Sequence, residues 1–386
     1  MRPLRSPASF HRDTEDPVAH SLVFPIYQTS SFLMPEGEHY RYGREWNPTV
    51  EELARKMDML EGTPSSTCFS SGMGAITSLL LSHLRPGSRL LIHRDMFSRT
   101  YRFAREFLAS FGVSVSVAEP GSEEFIRMVR SEKPDMALLE SVTNPVLRVM
   151  DIPRIAEACR EVGARFIVDS TLATPVNQKP FGMGADAVIH SASKFLSGHN
   201  DVIAGTLSGR EEIVRRADDM RRNLGSTLDP QSAFLVMRGL RTLEVRMERI
   251  NRDAERVAEE LCSLEHVRDV IYPGLKEHPD HDISRRVLCH PGGVITFHLS
   301  EDIDPQAFMR ALGVVAPANT LGGVFSTISQ PYTMSHRGLS EEEKEKLGIT
   351  RGMMRLSVGL EGADAIVEDI RGAISRARLY SPHLGQ

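Results

Sequence analysis

Between Thr49 and Ser191, short apolar runs alternate with helical stretches of roughly 10 to 15 residues, and nothing else in the chain restricts its fold as much. The run Ser66-Thr67-Cys68-Phe69 passes through Ser70-Ser71-Gly72-Met73-Gly74 into the helical pattern AITSLLLSHL. RLLIH, VSVSVAE, MALLE, ARFIVDS and ADAVIHS follow, with helices predicted through FAREFLASFG, from Ser122, and through IPRIAEACREVG. Several of these runs lack polar alternation, as strands covered on both faces do. The expectation is therefore an α/β fold with a mainly parallel central sheet between helical layers. Ligands of such sheets lie beyond the carboxyl ends of the strands. Ser71, Asp95, Glu140, Asp169 and Ser191 all follow the apolar part of their runs, which gathers the candidate chemistry along one edge.

The flanks have a different texture. Residues 1–48 read as an extended arm, because Pro3, Pro7, Pro17, Pro25, Pro35 and Pro48 interrupt every candidate helix. From Thr49, VEELARKMDMLEG is an amphipathic helix stopping at Gly62. After Pro230 a long helical stretch, QSAFLVMRGLRTLEVRMERINRDAERVAEELCSL, leads to GGVITFHLS, a helix near DPQAFMRALG, the acid-led helix LSEEEKEKLG and the strand MMRLSVGLE. This pattern predicts a smaller C-terminal α+β domain, and so a division into an arm (1–48), a main domain (49–230) and a C-terminal domain (231–386).

Composition narrows the partners. With 46 Lys and Arg against 51 Asp and Glu, a net charge of −5 and no basic run interleaved with aromatics, neither nucleic acid nor a membrane surface is an expected partner. Cys68, Cys159, Cys262 and Cys289 have no paired spacing, so neither a metal site nor a disulfide framework is expected, and all four suit small buried apolar positions. No apolar stretch approaches the ~18 residues of a membrane span, and MRPLRSPASFHRDTED lacks an apolar signal core, so a cytoplasmic location is expected.

Lys194 follows the run Ala187-Val188-Ile189 and the hydroxyls of Ser191 and Ser193. A lysine at the end of a buried strand can form a Schiff base while neighbouring hydroxyls hold a phosphate, which points to pyridoxal 5'-phosphate. That cofactor acts as an electron sink and needs a carboxylate beside its pyridine nitrogen. Asp169 ends the strand Phe166-Ile167-Val168 and suits that role, although a turn residue or helix cap would also sit there. Gly72 and Met73 would offer backbone N–H groups to an anion at a helix N-terminus, and close helix-to-strand packing is the other reason for such a glycine. Neither GxGxxG nor GxxxxGK[ST] is present, which argues against dinucleotides and nucleoside triphosphates. Arg355, inside MMRLSV, needs a planar anionic partner: the α-carboxylate of an amino acid substrate, or a structural Asp or Glu.

These residues carry a resemblance. YRYGREWNPT, SSGMGAI, HRDMFSRTYR, ESVTNPVLRVMDIPRIA, FIVDSTLATP, ADAVIHSASKFLSGHNDVIAG, NTLGGVFSTISQPYTMSH and MMRLSVGLE occur in the order found in the Cys/Met-metabolism pyridoxal-phosphate enzymes, the relatives of cystathionine γ-synthase, γ-lyase and β-lyase and of methionine γ-lyase. The resemblance spans residues 20 to about 375. It implies the aspartate-aminotransferase-like fold (PLP fold type I), with the chain assembled as a homotetramer, a dimer of catalytic dimers. It implies Lys194 as the Schiff-base lysine and proton shuttle, Asp169 as the pyridinium partner, and Asn144 beside the ring hydroxyl. Gly72, Met73, Ser191 and Ser193 resemble the phosphate cup, completed by Tyr42 and Arg44 from a neighbouring subunit, and Thr171 resembles a further cofactor contact. Arg355 resembles the anchor of the substrate carboxylate. The implied reaction is elimination or replacement at Cγ, less often Cβ, of an amino acid with a sulfur or activated oxygen leaving group.

Where the chain departs from the family pattern, it does so on the substrate side. Phe97 stands where the family has a tyrosine stacked on the cofactor, so the ring remains but the phenol is gone. Arg99 replaces a small residue or cysteine, Trp46 a glycine or serine, and Thr320 a serine, while Asn319 stands where glutamate is frequent. Arg99 can equally face solvent and Trp46 fill a subunit interface. If instead both Arg99 and Asn319 face substrate, its distal group is acidic. Two rivals follow: a biosynthetic γ-replacement enzyme using a non-sulfur nucleophile, and a lapsed enzyme that keeps the cofactor for regulation.

Overall fold

A computed structural model describes residues 12–16, 18–37, 39–334 and 340–379. Pro3, Pro7 and Pro17 of the arm, and the Ser335-His336 end of one family-like segment, lie outside the described residues. The chain divides into two compact units. One holds the residues up to Ser141 together with Met150–Glu244, and the other holds Val142–Val149 and the residues from Val245 onward.

In the first unit, helix α1 (Pro48–Glu61) starts at Asn47, whose side chain accepts from the Thr49 N–H, and ends at Gly62 with φ 72°. Strand β1 (Ser65–Phe69) leads into α2 (Gly72–His83), then β2 (Arg89–His93), α3 (Ser98–Arg102), β3 (Ser114–Ala118), α4 (Ser122–Glu132) and β4 (Met136–Glu140). Then come α5 (Ile152–Val162), β5 (Arg165–Asp169), α6 (Thr174–Asn177), β6 (Ala187–Ser191), β7 (Gly205–Gly209), α7 (Glu211–Leu224) and α8 (Pro230–Leu240). The seven strands lie in the order β1-β7-β6-β5-β4-β2-β3. Only β7 runs against its neighbours, and it pairs antiparallel with both β1 and β6.

The apolar runs explain the layers. Leu90, Ile92, Leu138, Ile167, Ile189 and Leu207 pack with Ala75, Ile76 and Leu79 of α2 and Ile213 and Val214 of α7. The alternate residues Leu91, Ala137, Leu139, Phe166 and Val168 pack with Phe125 and Val129 of α4 and Ile155 and Cys159 of α5. Burial on both sides is what the unalternated strands predicted. Two elements differ from expectation. The helix expected through FAREFLASFG begins as α3 and continues as a π-helix, Phe103–Leu108, with Phe103 and Phe107 stacked at 5.0 Å. Strand β7, GTLSG, is glycine at both ends with a threonine and a serine between, so its pattern does not register as a strand. The described part of the arm contains no helix. Asp13 pairs with Lys56 of α1 at 2.8 Å and with Arg241 at 2.6 Å, tying the arm to its own chain.

In the second unit, α9 (Leu243–Leu261) is followed by β8 (Val267–Ile271), α10 (His281–Val287), β9 (Val294–Leu299), α11 (Pro305–Ala311), β10 (Ala316–Pro317) and β11 (Thr327–Ser329). Helix α12 (Glu341–Lys346), strand β12 (Met353–Ser357) and helix α13 (Ala363–Leu379) complete it. The helical stretch after Pro230 is thus two helices, α8 and α9, and the division between units falls at Glu244 and Val245. The five strands lie in the order β10-β11-β12-β9-β8, with β12 buried throughout and antiparallel to both neighbours. Ser340 opens α12 with a capping box to Glu343. Among the described residues, no helix is long and apolar enough to cross a membrane.

Candidate active site

The first unit places its candidate residues around the carboxyl ends of β1, β5 and β6. Ser71 caps α2 by accepting from the Gly74 N–H at 2.9 Å. The N–H groups of Gly72 and Met73 donate to no described residue, so two donors stand without a described acceptor at the positive end of a twelve-residue helix. Gly72 lies against the end of β6, where a Cβ would come within 2.9 Å of Ser191 Cβ. Gly205 of β7 closes the turn from the other side, where a Cβ would meet Ser71 O at 2.2 Å. Close approach thus requires both glycines.

A chain of hydrogen bonds ties the end of β6 to Asp169. The Ser191 N–H donates to Thr171 Oγ1 at 2.8 Å, and the Thr171 hydroxyl and N–H donate to Asp169 Oδ1 at 2.5 and 3.0 Å. Asp169 Oδ2 receives no hydrogen bond from a described residue. Burial raises the Asp169 pKa above its ordinary value, opposed by the Thr171 donors and by the nearby His190 and His93. A carboxylate held through one oxygen, desolvated and without a cation, suits a protonated ring nitrogen. Ser191 Oγ has no partner among the described residues. Ser193 Oγ accepts from the Ala204 N–H at 2.9 Å and donates to Ala204 O at 3.2 Å, a commitment with no sequence signal.

Lys194 lies in the turn after β6. Its N–H donates to Ser191 O at 3.1 Å, and its carbonyl accepts from the Gly198 N–H at 2.8 Å. Helix α8 approaches this turn so closely that a Cβ on Gly239 would lie 2.1 Å from Ser197 O. Phe97 is 40% exposed, and its N–H donates to Glu140 Oε1 at 2.6 Å. The Glu140 N–H in turn donates to His93 Nε2 at 2.9 Å, so the ring proton of His93 sits on Nδ1 and is donated to Asp95 Oδ1 at 2.7 Å. Asp95 and Glu140 stood out from their strand-end positions, but nothing local in the sequence indicated that Glu140 holds the Phe97 turn.

Arg99 is exposed and has no partner among the described residues. Trp46 is half-buried and packs on its own chain, 4.5 Å from the His39 ring and 4.3 Å from the Arg222 guanidinium. Tyr42 is exposed, with the Arg44 guanidinium 5.5 Å above its ring, and Arg44 donates to Arg222 O at 2.8 Å.

The second unit contains Arg355, Asn144, Thr320 and Asn319. Arg355 is buried in the middle of β12. Its Nη1 donates to Asn144 Oδ1 and its Nη2 to Thr320 O, each at 3.1 Å, while Nε has no partner. No described carboxylate pairs with it, which removes the structural ion pair as an explanation. Burial lowers its pKa to about 10, which leaves it charged at neutral pH. A buried cation touching only neutral acceptors is a site for an anion. Asn319 is exposed without a partner among the described residues, and Thr320 contributes its carbonyl to Arg355.

A family model described as Cys/Met metabolism PLP-dependent enzyme matches residues 8–375. The chain belongs to this family. Its cofactor is therefore pyridoxal phosphate, and the chain is an enzyme. L-methionine γ-lyase of Pseudomonas putida is 36% identical over 375 residues, covering 93% of this chain and 94% of that one. The chloroplastic cystathionine γ-synthase 1 of Nicotiana tabacum is 35% identical over 370 residues, covering 92% of this chain and 68% of that longer protein. Among solved structures, cystathionine γ-synthase from Xanthomonas oryzae pv. oryzae in complex with cystathionine matches with a TM-score of 0.93 at 32% identity, covering 98% of this chain and 99% of that one. The residues of this Cys/Met-metabolism enzyme fit its cofactor: among the described residues, the Gly72 and Met73 amides and the Ser191 hydroxyl have no partner and suit the phosphate, and one Asp169 oxygen has no donor and suits the ring nitrogen.

Proposed function

We propose that this chain catalyses elimination or replacement at Cγ of an amino acid bearing a sulfur or activated oxygen leaving group. The observation that carries the proposal is Arg355, a buried guanidinium with a free Nε and no counter-carboxylate, which would bind the α-carboxylate of such a substrate. Gly72, Met73 and Ser191 would hold the cofactor phosphate, Asp169 the ring nitrogen, and Asn144 the region of the ring hydroxyl. When bound, the cofactor supplies an electron sink for the pair left as the substrate Cα–H bond breaks. Lys194 would take the Cα proton and return protons along the chain toward Cγ, as a general base and acid placed by the turn after β6. Phe97 supplies a ring face but no phenolic proton, which leaves the proton transfers to Lys194.

Two features favour a substrate with an acidic distal group: Arg99 is an exposed, unpartnered cation, and Asn319 is neutral. Tyr42 and Arg44, exposed on the arm, support a dimer of catalytic dimers in which each arm completes a neighbour's site. Four free cysteines accord with a reducing, cytoplasmic setting. Product analysis with homoserine esters, cystathionine, methionine and cysteine tests the reaction. 2-Oxobutyrate with ammonia marks γ-elimination and a new thioether or carbon-bonded amino acid marks replacement, whereas pyruvate alone would sink the γ assignment. In the same panel, Arg99→Ala should reduce the preference for acidic over neutral side chains, and an unchanged ratio would remove Arg99 from the substrate site.

A further inference from the structure

The eight residues Val142–Val149, which the chain emits between β4 and α5, belong to the second unit. They form a small hairpin. Val142 bridges Val149, the Thr143 N–H donates to Arg148 O at 3.0 Å, the Arg148 N–H donates to Thr143 Oγ1 at 3.1 Å, and the Leu147 N–H donates to Thr143 O at 3.1 Å. Its tip carries Asn144, one of two acceptors of the Arg355 guanidinium among the described residues. Thr296 of β9 holds the tip by donating to Pro145 O at 2.7 Å.

A carboxylate grips the base of the hairpin. Asp280, buried at the start of α10, accepts from Arg148 Nε at 2.6 Å, from Arg148 Nη2 at 2.9 Å and from the Val149 N–H at 3.0 Å. The Asp280 N–H donates to His278 Nδ1 at 3.1 Å, which fixes the loop that carries the carboxylate. A two-pronged Arg–carboxylate pair with an added backbone donor fixes direction as well as distance. Asp280 at its base, Thr296 beside its tip and Arg355 at Asn144 are among the attachments that locate the hairpin.

We propose that Asp280 is a positioning residue for substrate-carboxylate binding: through Arg148 it holds the Asn144 hairpin where Asn144 Oδ1 keeps the Arg355 fork aimed at its anion. The proposal rests on the reading of Arg355 as the carboxylate anchor. Hydrogen bonds weaken steeply with distance and angle, so a hairpin released at its base and pivoting about Pro145 loses the 3.1 Å bond from Arg355 to Asn144. The guanidinium, held by Thr320 O alone, then swings off the line along which a carboxylate approaches. Any effect of Asn144 on the cofactor ring is shared by every amine, whereas the Arg355 contact is made only by a ligand with a carboxylate, so the ratio between the two kinds of ligand reads the linkage.

The test compares a ligand that has an α-carboxylate with one that lacks it. Cofactor-loaded protein is titrated with L-2-aminobutyrate and with propylamine, its decarboxylated counterpart, and binding is followed by the visible absorbance of the cofactor. In Asp280→Asn and in Arg148→Lys, the dissociation constant for L-2-aminobutyrate should rise about tenfold more than that for propylamine, which is the loss of one charge-assisted contact. Asp280→Glu should recover part of the difference. Should Asp280→Asn not fold, Arg148→Lys, which keeps the charge and removes the fork, carries the test. Equal weakening of both ligands, or no change in either, overturns the proposal. Arg355→Lys serves as the reference. Selective loss there with none in the Asp280 and Arg148 variants overturns the positioning role alone, whereas no selectivity in Arg355→Lys overturns the carboxylate anchor beneath it.

Discussion

The turn between β1 and α2 and the middle of β12 both present donors that no described residue accepts, but they are made differently. The turn offers peptide N–H groups of Gly72 and Met73, fixed by the helix they begin and by two glycines that admit no Cβ. Strand β12 offers a whole charge on a flexible side chain, steered by Asn144 and the Thr320 carbonyl. Backbone donors lose little order on binding and cost little while empty, which suits a group that stays bound. A buried, unpaired guanidinium is costly while empty and pays its way only when its anion arrives, which suits a ligand that comes and goes.

Removing the charge should give the largest effect. Arg355→Met is expected to lower kcat/KM by roughly 100-fold or more through loss of the carboxylate contact. Because burial lowers the Arg355 pKa to about 10, the charged form is disfavoured by the fold at neutral pH, and the variant without cofactor should melt no lower than the parent. A lower melting temperature would show that Arg355 stabilises the empty protein and would erase the contrast with the turn. Next, Gly72→Ala should weaken cofactor binding about tenfold or more, since its Cβ would press on Ser191 Cβ at 2.9 Å and displace the amides. Equilibrium titration with pyridoxal phosphate reads this directly.

Asp169 allows the contrast to be examined with the opposite charge. Its folded pKa is raised, so the stability tied to its protonated form is fully present below the ordinary carboxylate pKa of about 4 and is lost as pH rises through the folded value. Asp169→Asn should therefore raise the melting temperature of the cofactor-free protein by roughly 2 °C at neutral pH and by nothing near pH 3.5, while weakening the cofactor. A pH-independent difference would mean that the carboxylate is already paired. The smallest effect separates the two serines: Ser191→Ala should weaken cofactor binding about tenfold and Ser193→Ala about threefold, because the oxygen of Ser193 is bonded to both backbone groups of Ala204.

The sequence made some of this legible and not the rest, for a physical reason. Lys194, Asp169 and the Gly72 turn announce themselves because strand, glycine turn and helix are local patterns, and in a parallel sheet the strand ends collect on one side whatever the tertiary detail. Arg355 was legible as a charge in an apolar strand, but its lack of a carboxylate partner was not, since that depends on residues far along the chain. Trp46 shows the same limit: its departure from the family pattern was visible, but its packing between His39 and Arg222 was not. The hold of Glu140 on Phe97 and the allegiance of the Asn144 hairpin likewise depend on contacts between distant residues.

That hairpin bears on how the protein is made. Its attachments to Asp280 and Arg355 span 132 and 211 residues of sequence. On a ribosome, Asn144 emerges long before either partner exists, so this segment must wait, solvated and unattached, while the rest of the first unit can already close around its sheet. The hydrogen bond from Arg355 to Asn144 is therefore among the last long-range contacts available to a nascent chain. A gene cut between Glu244 and Val245 would separate the hairpin from every side chain that holds it, and the two fragments would have to meet before either could build a complete substrate anchor.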